Sequence, residues 1–120
     1  MDLLEMRALA RRVFDAGVAA ADPYSGVAAA LERAPVGDGT PVVAVGKAAV
    51  RMAEAALAAF KAGPTIIVTN PENARDVPGA ELFAASHPVP NQVGIEAAKA
   101  VETLLADASS EVLALISGGG

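Results

Sequence analysis

The sequence predicts an α/β layered fold around a mainly parallel sheet, and three patterns carry that expectation. Four short apolar runs, Val42–Val45, Thr65–Thr69, Leu82–Ser86 and Val112–Ile116, have strand length and lack the alternation of a strand with one wet face. Longer stretches between them repeat their apolar residues at helical spacing. The apolar content, 53% of 120 residues, is mostly alanine, valine and leucine, with three Phe, one Tyr and no Trp. Small side chains of this kind suit helices packed closely on a sheet better than an aromatic-centred sandwich.

The first helix is expected from Asp2 to about Ala21. Met6, Leu9, Val13 and Gly17 recur at three- and four-residue steps, while Arg7, Arg11 and Asp15 share another face. Asp2, with Glu5 three residues on, can satisfy the first unpaired N–H groups, and Asp22-Pro23 ends this helix and seeds a second through about Glu32. Gly37-Asp38-Gly39-Thr40 reads as a surface turn. After the first strand, Lys47–Lys61 aligns Ala49, Ala53, Ala56, Leu57 and Phe60 in one stripe. Pro71–Gly79 is polar and bounded by proline, which predicts a loop or short irregular link between the second and third strands; strand order stays open there. Asn91–Asp107 carries Ala97, Val101, Leu104 and Leu105 on its apolar side, with Asn91 as N-cap. Strand-helix-strand units with short connections give a right-handed layered fold, and no repeat or linker divides the segment.

Charge and composition exclude several function classes. A net charge of −5 and a pI near 4.7 are wrong for a nucleic-acid surface, which needs clustered Lys and Arg. Without cysteine there is no disulfide, thiolate nucleophile or Cys-ligated metal, so packing alone holds the fold, and a reducing cytoplasm is the expected setting. Asp2, Glu5, Arg7, Arg11 and Arg12 interrupt the opening residues, which predicts neither a signal peptide nor a membrane span.

In an open α/β sheet the ligand crevice lies off the carboxyl ends of the strands. The four strand ends here are Gly46-Lys47, Thr69-Asn70-Pro71, Ser86-His87-Pro88 and Ser117-Gly118-Gly119-Gly120, and one parallel sheet would gather all of them on one rim. Lys47 falls in the expected first helical turn, where the helix dipole disfavours a cation by about 0.3–1 kcal/mol and an anionic ligand would reverse the sign. A lysine snorkelling into solvent explains it equally well. The segment is no Walker loop, since Pro41 and Ala48 stand where Gly and Ser or Thr are required. Ser117 to Gly120 could present backbone N–H groups to a phosphate or carboxylate; a flexible turn is the competing account.

His87, the sole histidine, precedes a stiff Pro88-Val89-Pro90 turn that fixes where its ring points, and ordering the loop accounts for it at least as well as ligand contact. Asn70 and Thr69 fit turn positions, with ligand contact the lesser reading. Arg51, one turn beyond Lys47, either adds positive potential or lies on a solvated face. No acid-base pair or metal cluster assembles from the acidic residues. The apolar run into the terminal glycines, with no helix to receive the turn, predicts the N-terminal part of a larger nucleotide-using enzyme.

Three ordered motifs resemble one family. Val45-Gly46-Lys47-Ala48-Ala49 with Met52, Ser86-His87-Pro88-Val89-Pro90 with Gly94, and Ile116-Ser117-Gly118-Gly119-Gly120 together look like the N-terminal domain of MOFRL-type glycerate 2-kinases, often labelled hydroxypyruvate reductases. The resemblance runs through nearly the whole chain, the Ala21-Asp22-Pro23 junction included. It implies a Rossmann-like domain, here residues 1–120, paired with a smaller C-terminal domain across an active-site cleft. It further implies transfer of the γ-phosphoryl group of ATP to the 2-hydroxyl of D-glycerate, giving 2-phosphoglycerate and ADP, with Mg2+ held by residues outside this segment.

In that picture Lys47 is the catalytic lysine of a Gly-Lys-Ala motif, stabilising charge on the transferring group. Gly46, Ser117, Gly118, Gly119, Gly120, His87 and Asn70 are the candidate nucleotide- and substrate-binding residues, and none of them is a metal ligand. The serine expected after the glycines, and the second domain, are missing from this chain, which predicts that the segment alone is inactive or nearly so. ATP and D-glycerate are the implied small-molecule partners, with no nucleic acid and no membrane; a homodimer stays open. A sugar-phosphate isomerase domain would place Ser or Thr around the first loop, where Gly46-Lys47-Ala48-Ala49 stands. A non-catalytic anion-binding or assembly module is the other alternative. Hydride transfer is disfavoured, because no Gly-x-Gly-x-x-Gly with a following ribose-binding acid occurs.

Overall fold

The structure, a computed structural model, describes residues 1–118. Helix α1, Leu3–Ala20, begins at Asp2, whose carboxylate accepts from the Glu5 N–H while the Glu5 carboxylate accepts from the Asp2 N–H, the reciprocal cap expected from the sequence. Asp22 caps α2, Pro23–Arg33, with the proline at its start. Hydrogen bonds from the Ser25 hydroxyl and N–H, and the nearby Arg51 guanidinium, hold the Asp22 carboxyl below the usual aspartate range.

The four strands are β1, Val42–Val45, β2, Thr65–Thr69, β3, Glu81–Ala84, and β4, Leu113–Ile116. They form one all-parallel sheet in the order β3-β2-β1-β4, with Val42 beside Thr65 and Leu113, and Ile66 beside Glu81. Helix α3, Ala49–Ala59, covers one face, where Ala49, Val50 and Ala53 pack on Ala44 and Ile67. Helix α4, Gln92–Asp107, covers the other, with Leu104 against Val43 and Ile66. Side chains of successive strand residues point to opposite faces, so Val43 and Ala44 feed different halves of the core. Alanine dominates the contact face of α3, which lets the helix backbone approach the sheet closely.

The link from β2 to β3 is irregular, as expected, with a single 3-10 turn over Pro71–Asn73; Val77 from this link is buried with α3 and Ala44. Two expectations need correction. Helix α3 starts at Ala49, two residues later than predicted, because Gly46 adopts φ +120° and Lys47 and Ala48 belong to a turn. The predicted double burial holds for β1 and β2 only: Ala114 and Ile116 of β4 are exposed, since α4 lies over β3 and β2 and leaves that side of β4 uncovered. The apolar stripe of α1 is likewise uncovered among the described residues, with Leu3, Met6, Leu9 and Val13 all exposed.

Candidate functional site

Parallel pairing places all four strand ends on one rim, so the endings that the sequence singled out do converge. The order β3-β2-β1-β4 reverses direction between β1 and β4, and this switch point is where open α/β sheets bind ligands. Gly46 and Lys47 stand on one side of it and Ser117 and Gly118 on the other.

These two loops are joined through their backbones. The Lys47 N–H donates to the Gly118 carbonyl at 2.9 Å, and the Ala48 N–H donates to the Ser117 hydroxyl at 3.0 Å. Ser117 thus caps the entry to α3 across 69 residues of sequence. Its own N–H donates to the Val45 carbonyl at 2.9 Å. Gly46 is the pivot: its N–H donates to Val68 at 3.0 Å and its carbonyl accepts from the buried Thr69 hydroxyl at 2.8 Å. A Cβ at position 46 would run into the Ser117 side chain and carbonyl, so the close approach of the loops requires glycine as much as the positive φ does.

The turn after β1 differs from a glycine-rich phosphate cradle. From Gly46 through Ala49 every backbone N–H is already donated within the protein. What faces outward is the Lys47 side chain, exposed and with no ion-pair partner among the described residues. Arg51 adds nothing to it: its guanidinium lies 4.8 Å over the Tyr24 ring and 3.4 Å from Asp22, tying α3 to α2. The turn therefore projects a single cation beside the switch point.

Asn70 is buried at the end of β2, donating to Glu72 at 2.7 Å and accepting from Asn73 at 2.6 Å, which orders the 3-10 turn. His87 is exposed at the end of β3. It borders a cavity of about 420 Å³ set between the tips of β2 and β3 and the first turns of α4, within the size range of small-molecule sites. Asn91 closes that helix start by accepting from the Gly94 and Ser86 N–H groups, each at 3.2 Å. A larger cavity, about 720 Å³, opens at the opposite rim among Asp38, Glu81 and Asp107 and repels anions.

Gly119 and Gly120 lie outside the described residues. Among those described, no three of His, Asp and Glu gather in a way that would by themselves hold a metal ion. No helix among them is long and apolar enough to cross a membrane. The residues that sequence reasoning missed are Thr69, in its role as anchor of Gly46, and Ser117 as a helix cap; both act across the sheet and leave no local signal.

Residues 9–120 match a family model described as a domain of unknown function, DUF4147. A protein of Agrobacterium vitis provisionally named hydroxypyruvate reductase is 40% identical over 118 residues, which is 95% of this chain and 27% of that protein. The crystal structure of the PH0495 protein from Pyrococcus horikoshii OT3 superposes with a TM-score of 0.80 at 28% identity, covering 99% of this chain and 30% of its own. The chain thus spans less than a third of the length of either relative.

Proposed function

Because the chain belongs to the DUF4147 family, the N-terminal domain of MOFRL-family proteins, we propose that it forms the phosphoryl-handling part of an ATP-dependent glycerate 2-kinase. The observation that carries this reading is the Lys47 side chain, exposed and without an ion-pair partner among the described residues, set beside the Ser117–Gly118 loop at the switch point. Phosphoryl transfer asks a protein chiefly for positioning and for positive charge where negative charge develops. The knitted turn supplies the first and Lys47 the second, while the γ-phosphoryl group passes from ATP to the 2-hydroxyl of D-glycerate. No step assigned to these residues runs through a metal. The isomerase alternative loses ground because the turn after β1 offers no free hydroxyl, and hydride transfer because that turn carries one glycine and has its N–H groups committed.

The test uses the protein as its gene encodes it, following ATP-dependent phosphorylation of D-glycerate with Lys47→Ala beside the parent. Turnover should fall on the order of 10²–10³-fold, as when one electrostatic stabiliser is removed. Equal turnover would remove Lys47 from its role. A parent that reduces hydroxypyruvate with a nicotinamide cofactor and does not phosphorylate glycerate would overturn the whole reading.

A further inference from the structure

We propose that the cavity beside His87 receives the purine base of the nucleotide, with the phosphates running along the strand tips toward Lys47. This rests on the kinase reading and adds to it the direction in which the nucleotide lies. Three observations lead there.

Part of the cavity's polar lining is already engaged. Thr69 gives its hydroxyl to Gly46, and the Asn91 carbonyl oxygen takes the Ser86 and Gly94 N–H groups. The apolar walls are Val68, Ala85, Pro88, Pro90, Ile95 and Ala98, and the Ser86 side chain also lines the cavity, where it can meet a ring's polar edge. A flat heteroaromatic ring would bury its faces against these apolar walls at little polar cost. The exposed His87 imidazole at the mouth can stack on such a ring or exchange one hydrogen bond with its edge.

Distance agrees with this placement. Neighbouring strands are about 4.8 Å apart. From a base seated between β2 and β3, the switch point between β1 and β4 is about two strand spacings away, roughly 10 Å. An extended nucleoside triphosphate covers that length between its base and its terminal phosphoryl group. The acid-lined cavity at the opposite rim satisfies neither condition.

The variant that tests this is Ala98→Phe. Ala98 is exposed on α4 and lines the cavity, so a phenyl ring there fills the slot without entering the core, and Ala98→Ser serves as the conservative control. In the protein as its gene encodes it, ADP affinity should weaken and the KM for ATP should rise by roughly tenfold or more, the scale of losing a buried ring. Binding of inorganic tripolyphosphate and the KM for D-glycerate should stay within about twofold, and Ala98→Ser, which keeps the small volume, should lose much less ADP affinity than Ala98→Phe.

A measurement on the parent needs no variant: ADP should slow hydrogen exchange at the amides of residues 92–98, and tripolyphosphate should not. Equal weakening of ADP and tripolyphosphate by Ala98→Phe, or weakening of neither, overturns the proposal, as does equal protection by both ligands. If the parent phosphorylates glycerate while these outcomes appear, only the base site falls. If the parent neither binds ATP nor phosphorylates glycerate, the kinase reading falls first and takes this one with it.

Discussion

Helices α1 and α3 begin in opposite ways. Asp2 and Glu5 close the start of α1 within three residues, and none of its side chains is buried. The start of α3 has no capping side chain of its own; Ser117 closes it from the end of β4, and Ala49, Val50, Ala53 and Ala56 are buried beneath it. Both are alanine-rich and amphipathic, so sequence periodicity alone does not separate them. A stripe announces which face would be buried, whereas burial itself depends on a partner elsewhere in the fold. Lys47 sits in the turn that leads into the helix whose start is made by distant parts of the chain.

The sharpest way to break that contrast is Gly46→Ala. Alanine at φ +120° is strained, and its Cβ would push into Ser117, so the two loops could not keep their spacing. Backbone strain and overpacking together should cost roughly 2–5 kcal/mol. Chemical denaturation would show the lost stability as a lower midpoint at unchanged slope. A variant as stable as the parent would mean that the loops close without this approach.

How far the sequence reveals this site follows from the same contrast. Asp2, Asp22 and Asn91 were legible as caps because each bonds to the N–H three residues onward. The four strands were legible because apolar runs of that length have few alternatives, although their edges shifted: the third begins at Glu81 because pairing with Ile66 outweighs its charge. The exposure of β4 was not legible, since Leu113–Ile116 is as apolar as β1 and only the position of α4 leaves one side of it open. At the site, Gly46, Lys47 and Ser117 were recognisable as residue types at strand ends. That Ser117 would spend its hydroxyl on α3, and that Asn70 would spend its amide on Glu72 and Asn73, required the folded sheet.

Ser117→Ala sharpens the point at a smaller cost. Removing the hydroxyl leaves the Ala48 N–H without its acceptor while the strand register, carried by backbone bonds from Leu113 to Ile116, is untouched. Loss of a helix cap typically costs about 1 kcal/mol. Because the acceptor belongs to β4, that loss should appear as a lower midpoint of global unfolding, and Ser117→Thr should recover most of it. A midpoint equal to the parent's would show that the Ala48 N–H finds water instead.

Asp2→Ala should have the smallest effect of all, for a reason that completes the comparison. It removes a cap whose own chemistry is as good as that of Ser117, worth about 1 kcal/mol to the helix it closes. That helix buries nothing among the described residues, so its fraying is not coupled to the sheet. Hydrogen exchange at Glu5 and Met6 should quicken severalfold while the unfolding midpoint stays where it was. A lowered midpoint would mean that the stripe of Leu3, Met6, Leu9 and Val13 is packed against something in solution, and α1 would then belong with α3 as a helix held by tertiary contact.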